Sequence, residues 1–157
     1  MVELIAYLQA NNIQIWISTG TMDAFSQEAG RYFNIPAHQV IGTKRGLEYK
    51  EEGKYAFVAY KENMQFDNSY GDKVVALEQL LAGVRPIIVG GNTTNDMAMM
   101  TWSEGRNDPS LQILIVHDDA ERERIQPAGK VLDRATERGW LKVSMRDDWK
   151  VIFPEMK

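Results

Sequence analysis

One turn, Gly90-Gly91-Asn92-Thr93-Thr94-Asn95-Asp96, holds the side chains of this sequence best suited to chemistry. It follows the apolar run Ile87-Ile88-Val89 and leads into a Met-rich segment with helical spacing. A strand that delivers a glycine-bearing turn to a helix start is a common phosphate cradle, because backbone N–H groups and the helix dipole both face the anion. Asp96, with Asn92 and Asn95, offers oxygen ligands of the kind a hard cation such as Mg²⁺ takes. Two other segments supply what an anion needs. Ser18-Thr19-Gly20-Thr21 sets the Thr19 hydroxyl beside Gly20, where backbone N–H groups can come close to a ligand. Lys73, placed to open a helix, is a compact donor that neutralises phosphate charge. In open parallel sheets the loops at the carboxyl ends of strands converge on one crevice, and these three segments are the ones expected there.

Each of these residues also has a plainer use. Thr19 suits a helix N-cap, Lys73 a solvated first turn, and Asp96 an acceptor for turn amides. His117-Asp118-Asp119 invites a metal reading, but a strand end followed by capping acids is the commoner arrangement, since Asp near a helix start suits the dipole. Met97, Met99 and Met100 read as core filler. Trp16, Trp102, Trp140 and Trp149 read as packing residues, and the mixed charges from Glu121 to Arg124 as a solvated surface.

The positioning elements follow from periodicity. Val2, Leu4, Ile5 and Leu8 predict a helix over 2–10 that Asn11-Asn12 ends. Alternation through Ile13-Gln14-Ile15-Trp16-Ile17 predicts a strand, followed by a turn at Thr19 and a helix from Met22 to Phe33. Val40 to Thr43 reads as a short strand. Residues 47–50 and 54–60 read as a β-hairpin about Glu51-Glu52-Gly53. Residues 61–71, with Asn68 and Gly71, read as a polar loop before a helix over 73–81, which Asp72 caps and Gly83 ends. Further strands are expected at 87–89, 112–116 and 141–145, and helices at 94–102 and 130–138, with a tail through Trp149, Ile152 and Phe153. Strands alternating with helices predict an α/β fold with a largely parallel sheet.

Composition narrows the function classes. A chain of 157 residues fits one domain, 1–157, able to bury roughly 70% of the surface its unfolded form exposes. Eighteen basic against 22 acidic side chains give a net charge of −4 with no long block of either sign. That argues against nucleic acid or an anionic membrane as the main partner. With no cysteine and only His38 and His117, disulfides are excluded and a structural zinc site is not expected. The start, Val2-Glu3-Leu4-Ile5, has no basic region and no long apolar stretch, so the expected location is the cytoplasm.

The order Ser18-Thr19-Gly20-Thr21, then Lys73, then Gly91-Asn92-Thr93-Thr94-Asn95-Asp96 resembles motifs two, three and four of the haloacid dehalogenase superfamily, in its phosphoserine-phosphatase-like branch. Val116 to Glu123, Arg138-Gly139-Trp140 and Asp148-Trp149-Lys150 are similar to a subgroup of phosphatase-like hydrolases. The resemblance implies a three-layer Rossmann-like core with a mostly parallel sheet and helices on both faces. It also implies Mg²⁺-assisted phosphoryl transfer to an aspartate, with a second aspartate two residues later as acid and base. By the same resemblance Thr19 and Gly20 would contact the phosphoryl group, Lys73 would neutralise it, and Asn92 and Asp96 would sit at the metal.

The sequence departs from that pattern in two ways. The superfamily's Asp-x-Asp pair lies on a central strand ahead of motif two and is followed by a helical cap. This sequence begins at the helix leading into motif two and contains no Asp-x-Asp. In motif four, relatives place an acid where Asn92 or Thr94 stands here. Loss of a covalent nucleophile removes on the order of 10⁴-fold or more of an enzyme's acceleration, so the expectation is a phosphatase-like domain inactive on its own. The alternatives are a Mg²⁺-dependent phosphatase completed by an upstream segment or a partner, and a non-enzymatic homo-oligomeric binding protein. Its small-molecule partner would be a phosphorylated compound or an inorganic anion. The strands ending at Ile17 and Val89 would lose their shared neighbour, and the expectation is rearranged pairing with a homodimer that covers the apolar surface.

Overall fold

The computed structural model describes residues 1–152, so the part of the expected tail at Phe153 lies outside the described residues. The chain forms two compact units, Met1–Asp72 and Lys73–Lys157.

In the first unit, helix α1 (Val2–Ala10) ends as expected, with the Asn11 side chain donating to the Tyr7 carbonyl at 2.8 Å. Strand β1 is Ile17–Met22, four residues later than its alternation predicts. The pattern at Ile13–Trp16 is that of a strand, but pairing begins only where β2 (Val40–Glu52) runs alongside. The parallel register is Ile17 with Val40, Ser18 with Ile41 and Met22 with Thr43. Three residues, Thr19 to Thr21, therefore stand opposite Gly42 alone, and the strand bulges there. Thr19 and Gly20 thus lie in a bulge inside a strand rather than in the turn after one. Helix α2 (Asp23–Tyr32) starts directly at its end, with Ser26 and Gly30 buried.

The hairpin is longer than its sequence signals. β2 pairs antiparallel with β3 (Tyr55–Phe66), from Glu52–Tyr55 at the turn back to Lys44–Phe66. Residues 61–66 are strand, where their polar side chains suggest loop. Their side chains are mostly exposed, so cross-strand hydrogen bonding rather than burial fixes them, and a polarity pattern carries no trace of it.

The second unit is built on a parallel sheet of order β4-β5-β6, formed by Ile88–Gly91, Leu111–Val116 and Leu141–Ser144. Ile113 and Leu114 on the central strand are buried, which is why residues 113–116 read as continuously apolar, and Gln112 is buried beside them. Helix α3 (Gly71–Leu80) turns Lys73, Ala76 and Leu77 inward, and α4 (Met97–Glu104) buries Met99, Met100 and Ser103. Met99 and Met100 are core, as expected, while Met97 is only half-buried. Helix α5 (Lys130–Arg138) has the predicted bounds and buries Val131 and Ala135. Trp140 is buried beside it and donates its indole N–H to Glu104 at 3.2 Å. The fold is thus the expected Rossmann-like α/β arrangement, parallel except for the hairpin. Among the described residues β1 pairs only with β2, and β4 only with β5. Among the described residues no helix is long and apolar enough to cross a membrane.

The segment after β5 closes the second unit. Asp118 accepts from the Ser144 hydroxyl at 2.8 Å and from the Arg146 N–H at 3.1 Å. Asp119 accepts from the N–H groups of Glu121 and Arg122 and from the Arg122 guanidinium. That guanidinium also donates to the carbonyls of Met145, Arg146 and Trp149. The acids therefore cap a single turn rather than a helix. Arg122 is exposed, as expected of a solvated surface, and also ties this turn to the carbonyls of residues 145–149. His117 contacts Glu123 at 2.7 Å, so all three residues of the His-Asp-Asp triplet are taken up by protein groups.

Burial opposes ionisation of Asp118, but the Ser144 hydroxyl, the Arg146 N–H and the nearby guanidinium outweigh it and hold its carboxyl below the usual range. Asp119 behaves likewise through Arg122. A carboxylate whose folded pKa is depressed stabilises above its unfolded pKa, about 3.9, and loses that contribution as pH falls through the lower folded value. The thermal midpoint should therefore drop below about pH 4, and Asp118→Asn and Asp119→Asn should each flatten that drop. Melting curves recorded from neutral pH downward check this; equal steepness in wild type and both variants would refute it.

Candidate functional site

The turn after β4 is organised around one carboxylate. Asp96 Oδ2 accepts from the N–H groups of Asn92 at 3.0 Å and Thr93 at 3.1 Å, and from the Thr93 hydroxyl at 3.3 Å. Thr93 in turn accepts from the Asn95 N–H at 3.3 Å, completing a capping box around a single 3-10 turn, Thr94–Asp96, that leads into α4. Gly91 makes this possible. A Cβ at that position would overlap the Asp96 Cβ and lie 3.0 Å from its carboxyl carbon, so only glycine lets the carboxylate fold back onto the strand end. Loop 117–129 lies against the turn, with Asn92 donating to Gln126 at 3.2 Å and Thr94 to the Ala128 carbonyl at 3.4 Å.

The other oxygen, Asp96 Oδ1, meets the Lys73 ammonium at 2.7 Å. Lys73 is 3% exposed and Asp96 7%, so the first-turn lysine is buried rather than solvated. Two residues 23 apart in sequence, each with a bland explanation of its own, form one buried ion pair. The two signals that pointed to them, a lysine at a helix start and a Gly-rich turn after a strand, converge on one place.

Mg²⁺ requires near-octahedral oxygen coordination, and Asn92 with Asp96 does not provide it. Both Asp96 oxygens are occupied, one by an ammonium and the other by three donors. Among the described residues no group of three or more His, Cys, Asp or Glu comes together as a metal cluster. The turn as it stands orients a lysine.

Thr19 and Gly20 belong to the first unit. Thr19 does not cap α2: the cap position is Met22, without a side-chain hydrogen bond. Its hydroxyl accepts from the Thr21 N–H at 3.2 Å within the bulge, and Gly20 is exposed. The residue that shapes this segment lies in the stretch whose polarity suggests a loop. Asn68 is fully buried, and its amide nitrogen faces the carbonyls of Thr19 at 3.0 Å and Ile41 at 2.9 Å and the Ser18 hydroxyl at 3.1 Å. Its backbone N–H donates to the Thr43 hydroxyl at 3.1 Å. Asn68 thus fastens β1 to β2 at the bulge, while its own amide oxygen has no hydrogen-bond partner among the described residues. An Asn in Asp-Asn-Ser looks like ordinary turn chemistry, and nothing local marks it as buried.

No protein-family model matches the chain, and no curated protein does. Solved structures do. A protein with unknown function from Bordetella pertussis Tohama I is 17% identical with a TM-score of 0.64, covering 90% of this chain and 56% of that one. A conserved functionally unknown protein from Anaerococcus prevotii DSM 20548 is 18% identical with a TM-score of 0.58, covering 90% and 35%. A phosphoserine phosphohydrolase-like protein from Francisella tularensis subsp. tularensis SCHU S4 is 20% identical with a TM-score of 0.57, covering 85% and 54%. The likeness is one of fold. The chain spans 35–56% of the length of these proteins.

Removing one member of a buried ion pair leaves the other charge uncompensated, at about 3–5 kcal/mol. Lys73→Met and Asp96→Leu should each destabilise by that order, and the double variant by less than the sum of the two. Asp96→Leu should cost more, because it also strands the N–H groups of Asn92 and Thr93. A double-mutant cycle in urea checks this; additive losses would mean that the two side chains do not act as a pair.

Proposed function

We propose that this chain is the phosphoryl-gripping part of a phosphohydrolase-like domain of the haloacid dehalogenase kind, without phosphatase activity of its own. The observation that supports this reading best is the buried Lys73–Asp96 pair at the end of β4. An ammonium oriented by a carboxylate that backbone N–H groups hold in place is a preorganised positive charge, the kind of group that stabilises a phosphoryl oxyanion. The likeness in fold to a phosphoserine phosphohydrolase-like protein fits it. In this reading the ligand is a phosphorylated small molecule or an inorganic anion.

The same geometry is the reason for proposing inactivity. Phosphoryl transfer through a covalent intermediate needs a free carboxylate facing phosphorus. Asp96 is engaged at both oxygens, and the sequence has no Asp-x-Asp pair. Mg²⁺ enters this reading only together with a carboxylate from outside these residues. The greater length of the proteins similar in fold favours a second reading, in which such a carboxylate is supplied by a further segment and the assembled protein is an active phosphatase.

Incubated with Mg²⁺ and an aryl phosphate, the chain should show no turnover above background. Inorganic phosphate should raise its melting temperature with increasing concentration, as a ligand of the folded state must, and the Lys73→Met/Asp96→Leu double variant should lose that response. Turnover of about 1 s⁻¹ or more that the double variant abolishes would overturn the inactive reading. No shift with phosphate would overturn the anion site.

A further inference from the structure

The first unit holds a cavity of about 290 Å³ where three segments meet. One is the end of α1, and the second is the chain that leaves it. That chain reverses at Asn12, whose φ is +59°, with the Ile13 N–H donating to the Leu8 carbonyl at 3.0 Å. The third is the single 3-10 turn Ala37–Gln39 just ahead of β2. Ile13, Ile15 and Ile35 supply the apolar surface of the cavity. The rest of its lining is carboxamide, from Gln9, Asn12, Gln14 and Gln39, with no charged group. Gln9 is fixed, because its Nε2 donates to the Phe33 carbonyl at 2.8 Å and leaves Oε1 as an acceptor. Gln39 is 8% exposed, yet its carboxamide has no hydrogen-bond partner among the described residues. A nearly buried amide is costly to leave unpaired, so what fills the cavity must bring a donor and an acceptor to it.

We propose that this cavity binds an uncharged nucleobase of the adenine type, read at its exocyclic amino group. Its volume is near the lower limit of small-molecule sites, roughly 300–1,000 Å³, and suits one small planar molecule. The uncharged lining disfavours a phosphate or carboxylate, which would be buried here without a counter-charge. A carboxamide sets one donor beside one acceptor, and the N6 amino group and N7 of adenine present the matching pair. Gln39 has both of its groups available for that edge. The Gln9 oxygen can only accept, and takes the second hydrogen of the same amino group. The flat faces of the base then lie against the isoleucines, as the apolar body of a ligand does in most such sites. The site is separate from the anion grip at Lys73, and its ligand is of a different chemical class.

Calorimetric titration of the intact chain with 9-methyladenine should show one saturable site, with an affinity that salt does not change because no charge takes part. 9-Methylpurine lacks the amino group and has no N–H donor left, so it should bind about ten-fold more weakly. Gln39→Leu keeps the bulk of the side chain. It should weaken 9-methyladenine about ten-fold and erase the difference between the two ligands. Ile15→Trp fills the cavity and should abolish binding, with the circular dichroism spectrum of the chain retained. The comparison of the two ligands on the unaltered chain decides the matter even where a variant fails to fold. No binding of 9-methyladenine at millimolar concentration would overturn the proposal, and so would equal affinity for the two ligands. Binding that both variants leave unchanged would assign it to another surface. Capture of an uncharged extended peptide but not of the base would overturn it in favour of a peptide groove.

Discussion

The organisation of the second unit depends on one buried carboxylate. Asp96 closes the turn after β4 through three donors on one oxygen and holds Lys73 with the other. Burying either charge alone would be prohibitive, and burying both is tolerable only when the remaining lone pairs are satisfied. The turn meets that condition with its own N–H groups, so backbone shape and charge pairing are one constraint. Gly91 is part of it, because any side chain there would push the carboxylate off the strand end.

The first unit solves a related problem with a neutral group. β1 bulges where its pairing with β2 slips, and a bulge leaves backbone carbonyls without ladder partners. Asn68 collects two of them, from Thr19 and Ile41, and fixes the segment that carries the Ser-Thr-Gly-Thr sequence. Placing the amide nitrogen there is forced by its acceptors, and the oxygen then has no donor among the described residues. The group thus gives up part of its own hydrogen bonding to define the geometry of the bulge. A buried acceptor left this way is costly in isolation, which is the sense in which the bulge is held rather than relaxed.

How much of this was legible in the sequence varied with the physics behind each element. α5, β5 and the turn at Gly90-Gly91 were legible because burial periodicity and punctuation residues coincide there, whereas α1 buries no residue and was legible from its apolar spacing and the Asn11-Asn12 stop. β1 was misplaced because Ile13–Trp16 has the alternation of a strand, while pairing begins only at Ile17. Periodicity reports which side chains face a core, not which backbone finds a partner. The second half of β3 failed for the complementary reason, being strand by pairing with hardly any burial. At the site, Lys73 and Asp96 were legible as separate candidates, but their union was not, since a lysine at a helix start and an acid in a turn each have a sufficient local explanation. Asn68 was illegible altogether, because its burial comes from residues about 25 and 50 positions away.

Charge balance decides what the Lys73–Asp96 pair can offer a ligand. Taken as two point charges the pair is neutral and would attract an anion little. It is not symmetric, however. The Asp96 charge is also met by the N–H groups of Asn92 and Thr93 and the Thr93 hydroxyl, so part of its field is spent on the turn. Burial strengthens each of these interactions, so the balance of charge in the turn rests on the donors that Asp96 collects. Substituting an acid at the Asn92 position would reverse that balance. A second negative charge beside Asp96 would demand a cation, and the turn would become a metal ligand set instead of a lysine holder. The neutral Asn92, donating to Gln126 rather than ligating an ion, is therefore the residue on which the character of this turn hinges.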